Sequence, residues 1–270
     1  MSFLNKNNLD YSKDNILLIS NNIIKNKKKY EFIKIEKKCI LWKDFLNNGK
    51  PVIFKLYKHR GLFNYIRERF LGFRVKREYD ALEKLMLEDI PCSKPVSYEY
   101  GYSKTYGFYE LLVTEEIQNV ANLHDIIKKV NGKFKSTIDL TPLFSAIKKM
   151  HLKGIFHGHL RPKNILARDN DNKNLQYFFI DMPHSEFFSK SIADKSLALY
   201  DLLKLITKID SCLGIGSCKP FLVSSGYKPN YIKYLYNNSA YSQVLYHSNK
   251  KNMIIFAYKI FIAKIMNRYF

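Results

Sequence analysis

The stretch His157-Gly158-His159-Leu160-Arg161-Pro162-Lys163-Asn164-Ile165-Leu166 is the densest collection of chemistry-bearing residues in the chain. Asp181 follows it, at the end of the run Tyr177-Phe178-Phe179-Ile180. Residues 165–167 and 177–180 are short apolar runs, so both read as strands. Asn164 thus sits where the first strand begins and Asp181 where the second ends. Taken alone, Asp181 is also what an ordinary turn after a strand would carry.

Upstream of this stretch the chain reads as strands. Residues 29–35 and 39–45 are rich in aromatic and β-branched side chains, with Glu36-Lys37-Lys38 as the turn between them. Asn47-Asn48-Gly49 is a hairpin signal leading into a strand over 51–57. Three antiparallel strands are expected here. A helix follows over 73–87, where Val75, Tyr79, Leu82, Leu85 and Met86 recur at helical spacing, and Asp89-Ile90-Pro91 stops it. Residues 106–115 read as one or two further strands. From Asn122 the pattern turns helical: Thr141-Pro142 opens a helix with Leu143, Phe144, Ile147 and Met150 on one face, and 196–209 is a second. A strand-rich part followed by a helical part is an α+β plan.

Composition bounds the function. The 270 residues are 46% hydrophobic and 15% aromatic, which excludes a disordered tail or fibrous repeat. Lys and Arg total 45 against 24 Asp and Glu, a net charge of +21, so phosphates, nucleic acid or an anionic membrane face would all be attracted. Lys, Asn, Ile, Tyr and Phe are abundant together, a pattern of A/T-rich codons that explains most of the lysine. The arginines are less diffuse: Arg60, Arg67, Arg69, Arg74 and Arg77 are five of the eight in the chain. Arginine's bidentate fork suits phosphate and carboxylate. The four cysteines form no CxxC pair, so reduced thiols in a cytoplasmic protein are expected, with no disulfide partner. The chain start shows no apolar signal core. The apolar region at 253–266 is too short to span a bilayer and reads as a packed or surface-resting helix. Neither an aromatic RNA-binding signature nor a helix-turn-helix is apparent. A basic nucleic-acid-binding module therefore rests on charge alone, and no specific nucleic-acid partner is expected.

The stretch from His157 to Leu166, with Asp181, resembles the catalytic loop and metal-binding Asp of the protein-kinase-like fold, H-x-D-L-x-x-x-N-I-L followed by an apolar strand and Asp. Lys55-Leu56-Tyr57-Lys58-His59-Arg60-Gly61, Gly72-Phe73-Arg74-Val75-Lys76-Arg77-Glu78, Ile90-Pro91-Cys92-Ser93-Lys94-Pro95-Val96 and Leu112-Val113-Thr114-Glu115 narrow it. They look like the N-lobe of the lipopolysaccharide kinases, the Kdo kinase and core heptose kinase group. The resemblance covers residues 50–209. It implies a bilobal fold: an antiparallel-sheet N-lobe with one main helix (1–115), a hinge (116–122) and a mostly helical C-lobe (123–270).

The same resemblance implies an ATP- and Mg²⁺-dependent kinase acting on a sugar hydroxyl. Lys55, on the third strand, would pair the nucleotide phosphates, with Glu78 as its partner and Glu83 as the competing candidate. Glu115 would lie where the strand runs into the hinge and would contact nucleotide. Asn164 and Asp181 would hold Mg²⁺ as hard oxygen ligands. Asp201 would brace the loop, and His157 would be structural, bonding the backbone near Asp181. Arg60, Arg67, Arg69, Arg74 and Arg77 would engage the anionic groups of a glycolipid or sugar-phosphate substrate, Arg74 and Arg77 nearest the nucleotide. The implied location is the cytoplasm, peripheral on the inner-membrane face. His151 and Trp42 are expected to pack, and His124, His184 and His247 to be surface or core histidines.

Three departures stand against the pattern. His159 occupies the position of the catalytic Asp; a neutral imidazole could accept a proton there, and a lost Asp also marks pseudokinases that bind without transfer. No glycine precedes Gly49, so a glycine-rich phosphate loop is absent and the turn at 36–38 would cover the nucleotide with ammonium groups. Asp181-Met182-Pro183 replaces Asp-Phe-Gly, and no Ala-Pro-Glu segment follows. A phosphorylatable activation loop is not expected, which favours a small-molecule or glycolipid kinase over a protein kinase.

Overall fold

The computed structural model describes residues 31–237, apart from 37, 47, 60, 105–106, 130–137 and 171–173. The chain start, Arg60, His247 and the apolar region at 253–266 therefore lie outside the described residues. The chain divides into two compact units. Met1–Asp80 with Ser93–Ile117 form one, and Ala81–Cys92 with Gln118–Phe270 the other.

In the first unit, β1 (Glu31–Ile35), β2 (Cys39–Phe45), β3 (Pro51–Lys58), β4 (Pro95–Ser103) and β5 (Gly107–Glu115) form one antiparallel sheet in the order β1-β2-β3-β5-β4. The Gly49 turn closes the β2–β3 hairpin: Gly49 is left-handed (φ 79°), and the amide of Leu46 donates to Lys50 O at 2.8 Å. Alternation along β3 then decides which side each residue serves. Val52, Phe54 and Leu56 are buried on one face with Trp42, Leu111 and Val113, and Trp42 stacks on Phe54 with ring centroids 5.0 Å apart. Ile53, Lys55 and Tyr57 point to the other face, where Tyr57 packs with Phe73, Val75 and Leu112.

Two helices belong to that second face. α2 (Arg74–Leu87) is the helix its apolar spacing predicts. α1 (Leu62–Leu71) is not signalled by the sequence. It is bounded by Gly61 and Gly72, both left-handed, and lacks a side-chain cap. Its apolar residues form a stripe that does not face the core, so the usual amphipathic reading misses it. The strand β4 also exceeds expectation, because tyrosines alternating with Ser, Glu and Gly give it a weak apolar signal.

The second unit is mostly helical. It contains the C-terminal half of α2, α3 (Leu123–Lys129), α4 (Thr141–Leu152), α5 (Ser196–Leu213), α6 (Lys219–Ser224) and α7 (Pro229–Asn237). A small sheet pairs β6 (Val120–Asn122), β8 (Ile165–Asn170) and β9 (Asn174–Phe179), and β7 (Ile155–Phe156) pairs β10 (Glu186–Phe187). Leu143, Phe144, Ile147 and Met150 of α4 are fully buried in one core cluster that also takes in Leu202 and Ile206 of α5. Each such side chain contributes about 1.5–3 kcal/mol through burial. Two carboxylates of α5 are also buried. Asp210 accepts the amides of Gly216 and Cys218 at 2.8 and 3.1 Å, which closes the turn after the helix; Asp201 serves the loop described below. No disulfide joins the four cysteines, and burial pushes the Cys92 thiol up to about 12, which leaves it unreactive. Among the described residues no helix is long and apolar enough to cross a membrane.

Candidate active site

Lys55 and Glu78 meet in the first unit. Strand alternation turns Lys55 toward α2, and both carboxylate oxygens of Glu78 accept from its Nζ at 2.9 Å. The Lys side chain is 14% exposed and the Glu side chain 4%. The competing Glu83 is exposed on the same helix. Tyr57 adds its ring face, with Lys55 Nζ 5.2 Å and the Arg74 guanidinium 5.9 Å from its centroid.

Three residues missed in the sequence hold α2 in place. Glu110, fully buried on β5 opposite Tyr57, accepts the amide of Val75 at 3.0 Å, in the first turn of α2. A carboxylate at that helix end satisfies an orphan donor and complements the helix dipole. Its other oxygen lies 2.8 Å from Nε2 of His59, just beyond β3, without hydrogen-bond alignment. Glu68 of α1, only 3% exposed, accepts from Arg74 at 3.2 Å and lies 3.5 Å from Arg77 Nη2, while Arg77 Nη1 donates to Gly72 O. Glu110 carried a signal, since a lone acid within Tyr109-Glu110-Leu111-Leu112-Val113 must find a buried partner. Glu68 carried none apart from its place among arginines.

These contacts add a partner to the arginine cluster. Arg74 and Arg77 both meet Glu68, which takes up part of their donor capacity. Arg69 is exposed at the end of α1; the Arg67 side chain and Arg60 lie outside the described residues. Glu115 is similarly committed. Its carboxylate meets Lys50 at 2.7 Å and Lys94 at 3.4 Å, its amide donates to Lys94 O, and its carbonyl accepts from Ser93 Oγ. In the turn at 36–38, the amide of Glu36 donates to Cys39 O and Lys34 pairs with Glu36 at 2.9 Å.

The second unit holds the loop from His157 to Asn164. Asp201, fully buried on α5, accepts the amides of His157 at 2.9 Å and Gly158 at 3.0 Å, and its Oδ2 lies 3.3 Å from His151 Nε2. Gly158 is required there: its φ is 77°, and a Cβ would stand 2.3 Å from His184 O. His157 is fully buried, and its Nδ1 accepts from the amide of His159 at 3.4 Å, so its bond is within the loop and not to the backbone near Asp181. Burial pushes its pKa down.

Asn164 is tied through backbone to Ile180, the residue before Asp181. The amide of Ile180 donates to Asn164 O at 3.1 Å, and Asn164 Nδ2 donates to His159 O at 2.9 Å. The amide nitrogen is thereby used, and Oδ1 is the end left to coordinate. Asp181 sits in the left-handed region (φ 59°), a strained conformation that is found at functional turns. This donor set of one amide and one carboxylate oxygen fits Mg²⁺, a hard cation that draws its remaining ligands from phosphate and water. Among the described residues no cluster of three His, Cys, Asp or Glu side chains offers a metal site of another kind.

His159 is half-buried, with the His184 ring 5.8 Å away. Burial chiefly, then the positive charges of Arg161 and Lys204, push its pKa down to about 4, so the imidazole is neutral at pH 7. That is close to the ~3.9 of an ordinary Asp.

A family model described as lipopolysaccharide kinase (Kdo/WaaP) family matches residues 49–210, which contain both sets of residues. The chain belongs to this family. The lipopolysaccharide kinase fold extends to solved structures. WaaP in complex with acyl carrier protein superposes with a TM-score of 0.58 at 13% identity, covering 87% of this chain and 94% of that one. The Rio2 kinase of Chaetomium thermophilum, in an ADP/Mg²⁺-phosphoaspartate complex, matches with a TM-score of 0.51 at 13% identity, over 86% of this chain and 73% of that one. Serine/threonine-protein kinase D of Synechocystis sp. is 31% identical over 123 residues, which are 46% of this chain and 23% of that protein. The chain thus matches about a quarter of that curated relative. The kinase-like fold expected from the sequence is the fold observed.

Proposed function

We propose that this protein is an ATP- and Mg²⁺-dependent phosphotransferase that moves a phosphoryl group to a sugar hydroxyl of an anionic, lipopolysaccharide-core-like glycolipid. The observation that carries the reading is the buried Lys55–Glu78 pair. Removing two charges from water costs as much as their attraction returns, so such a pair is not explained by stability. A pre-aimed ammonium for phosphate oxygens explains it.

In this reading residues 1–115 form the nucleotide lobe, 116–122 the hinge and 123–270 the helical lobe. Glu78 orients the Lys55 ammonium, which neutralises nucleotide phosphate charge. Asn164 and Asp181 would hold Mg²⁺. When bound, the ion offsets charge on the transferred group. Asp201 fixes the His157–Gly158 backbone and with it the position of His159. The neutral His159 ring accepts the proton of the attacking hydroxyl. Its lowered pKa gives it the basicity of the carboxylate it replaces, without that group's negative charge. The protein works in the cytoplasm, at the inner face of the membrane that holds its acceptor.

His159 also supports a second reading, a pseudokinase that binds nucleotide without transfer. Incubation with labelled ATP and either extracted cell-envelope glycolipid or protein fractions separates the two. Label in the glycolipid, lost in Asp181→Ala, is the expected result. With His159→Asp, a loss of turnover identifies His159 as the working base, whereas a large gain favours the pseudokinase reading.

A further inference from the structure

The outward face of α1 has no role in the site. Leu62, Phe63, Ile66 and Phe70 are 55%, 80%, 40% and 86% exposed. At 3.6 residues per turn these four fall within an arc of about 100° on one side of the helix. Single exposed apolar residues are ordinary; four large ones on one helical face form a patch that marks an interaction surface. The opposite face is the one that packs: Tyr65 stacks on Phe108 with centroids 4.5 Å apart and meets Phe73 at 5.2 Å, and Glu68 is turned inward onto Arg74 and Arg77. Glu68 is the sole acid of α1, so the outer face carries none. Arg69 is exposed at one edge of the apolar arc, and position 67, also arginine, falls at the other edge by helical spacing.

We propose that α1 seats this protein on an anionic lipid bilayer, its four apolar side chains entering the interface and the exposed Arg69 meeting lipid phosphate. An apolar stripe bordered by arginine, on a helix of 10 residues that is far too short to span, has the chemistry of an interfacial helix. Charge argues against a second copy of this chain, which would bring another +21 to the contact, and favours an anionic surface complementary to the arginine border and the net charge. The proposal deepens the membrane-face placement given under the proposed function and needs no nucleotide, so vesicle binding and phosphoryl transfer can fail separately.

Sedimentation of the full chain with vesicles tests it, comparing phosphatidylcholine alone with phosphatidylcholine containing about one-third phosphatidylglycerol. Binding to the anionic vesicles is expected, at least about tenfold tighter than to the neutral ones. Phe63→Ser/Phe70→Ser is expected to weaken it by about tenfold or more, with the circular dichroism spectrum and melting temperature unchanged. Should that variant fold poorly, Phe70→Trp decides: its emission shifts to the blue on adding anionic vesicles. Three results would overturn the proposal. One is no vesicle binding, or no tryptophan shift. Another is serine-variant binding equal to wild type, which puts membrane contact elsewhere in the chain. The third is a wild-type dimer that the serine variant converts to monomer, which makes the face a protein interface.

Discussion

Around Lys55 the buried carboxylates hold mainly side-chain cations, whereas around His159 the buried carboxylate holds backbone. Glu78 serves Lys55 and Glu68 serves Arg74 and Arg77; only Glu110 divides itself between a helix-end amide and an imidazole. In the second unit Asp201 accepts two consecutive amides and Asp210 two more. The distinction has an energetic consequence. A pair of side chains can be replaced together by apolar groups, and the desolvation cost disappears with them. A backbone N–H cannot be removed, so the carboxylate that satisfies it has no apolar substitute. The first region is therefore replaceable in stability but not in chemistry, and the second in neither.

The largest effect lies in the chemistry. Asp181→Ala should lower phosphoryl transfer by about a thousandfold or more, because the side chain serves charge neutralisation, against a stability cost of only about 1–2 kcal/mol for alanine in the left-handed region. A stable variant with full activity would remove Asp181 from the site.

Urea denaturation of the Lys55–Glu78 pair tests the replaceability claim. Lys55→Met or Glu78→Leu alone should cost about 3–5 kcal/mol, since each breaks a largely buried ion pair by removing one partner. The double variant should recover most of that stability and none of the transfer activity. A double variant as unstable as the singles would show that the pair is needed to hold β3 and α2 together.

Asp201→Asn keeps one acceptor oxygen and sets an NH₂ against the other amide. A loss of about 1–3 kcal/mol is expected, in the range for one orphaned buried donor. Full stability in this variant would mean that water or a rearranged loop satisfies the amides, and the contrast between the two regions would weaken.

The smallest effect is on pH dependence. His157 is held neutral by burial, with its pKa below the ordinary 6.5. The unfolded chain therefore binds more protons than the folded one as pH falls below 6.5, and stability should decline there. Above 6.5 His157 contributes no slope. His157→Phe should flatten the decline, measured as melting temperature from pH 7 to 5; an unchanged curve would assign it to other groups.

Legibility followed the same division. The loop from His157 to Asn164 is continuous, and Asp181 stands 17 residues beyond Asn164 across two apolar runs, so the resemblance to the kinase-like pattern marked Asn164, Asp181 and the helix bearing Asp201. Lys55 and Glu78 stand 23 residues apart and were found through their order along the chain. Glu68 was not found, because α1 was hidden: its apolar stripe faces outward and glycines bound it. The arginines were legible as a cluster, but the carboxylate that Arg74 and Arg77 share, six and nine residues away, was not.

A thermal-shift titration with ATP, in the presence and absence of Mg²⁺, tests the account most directly. The wild-type protein should gain melting temperature with Mg²⁺ and ATP together, and Lys55→Met and Asp181→Ala should each lose that gain. A wild-type protein that shows no shift at millimolar nucleotide would contradict the account.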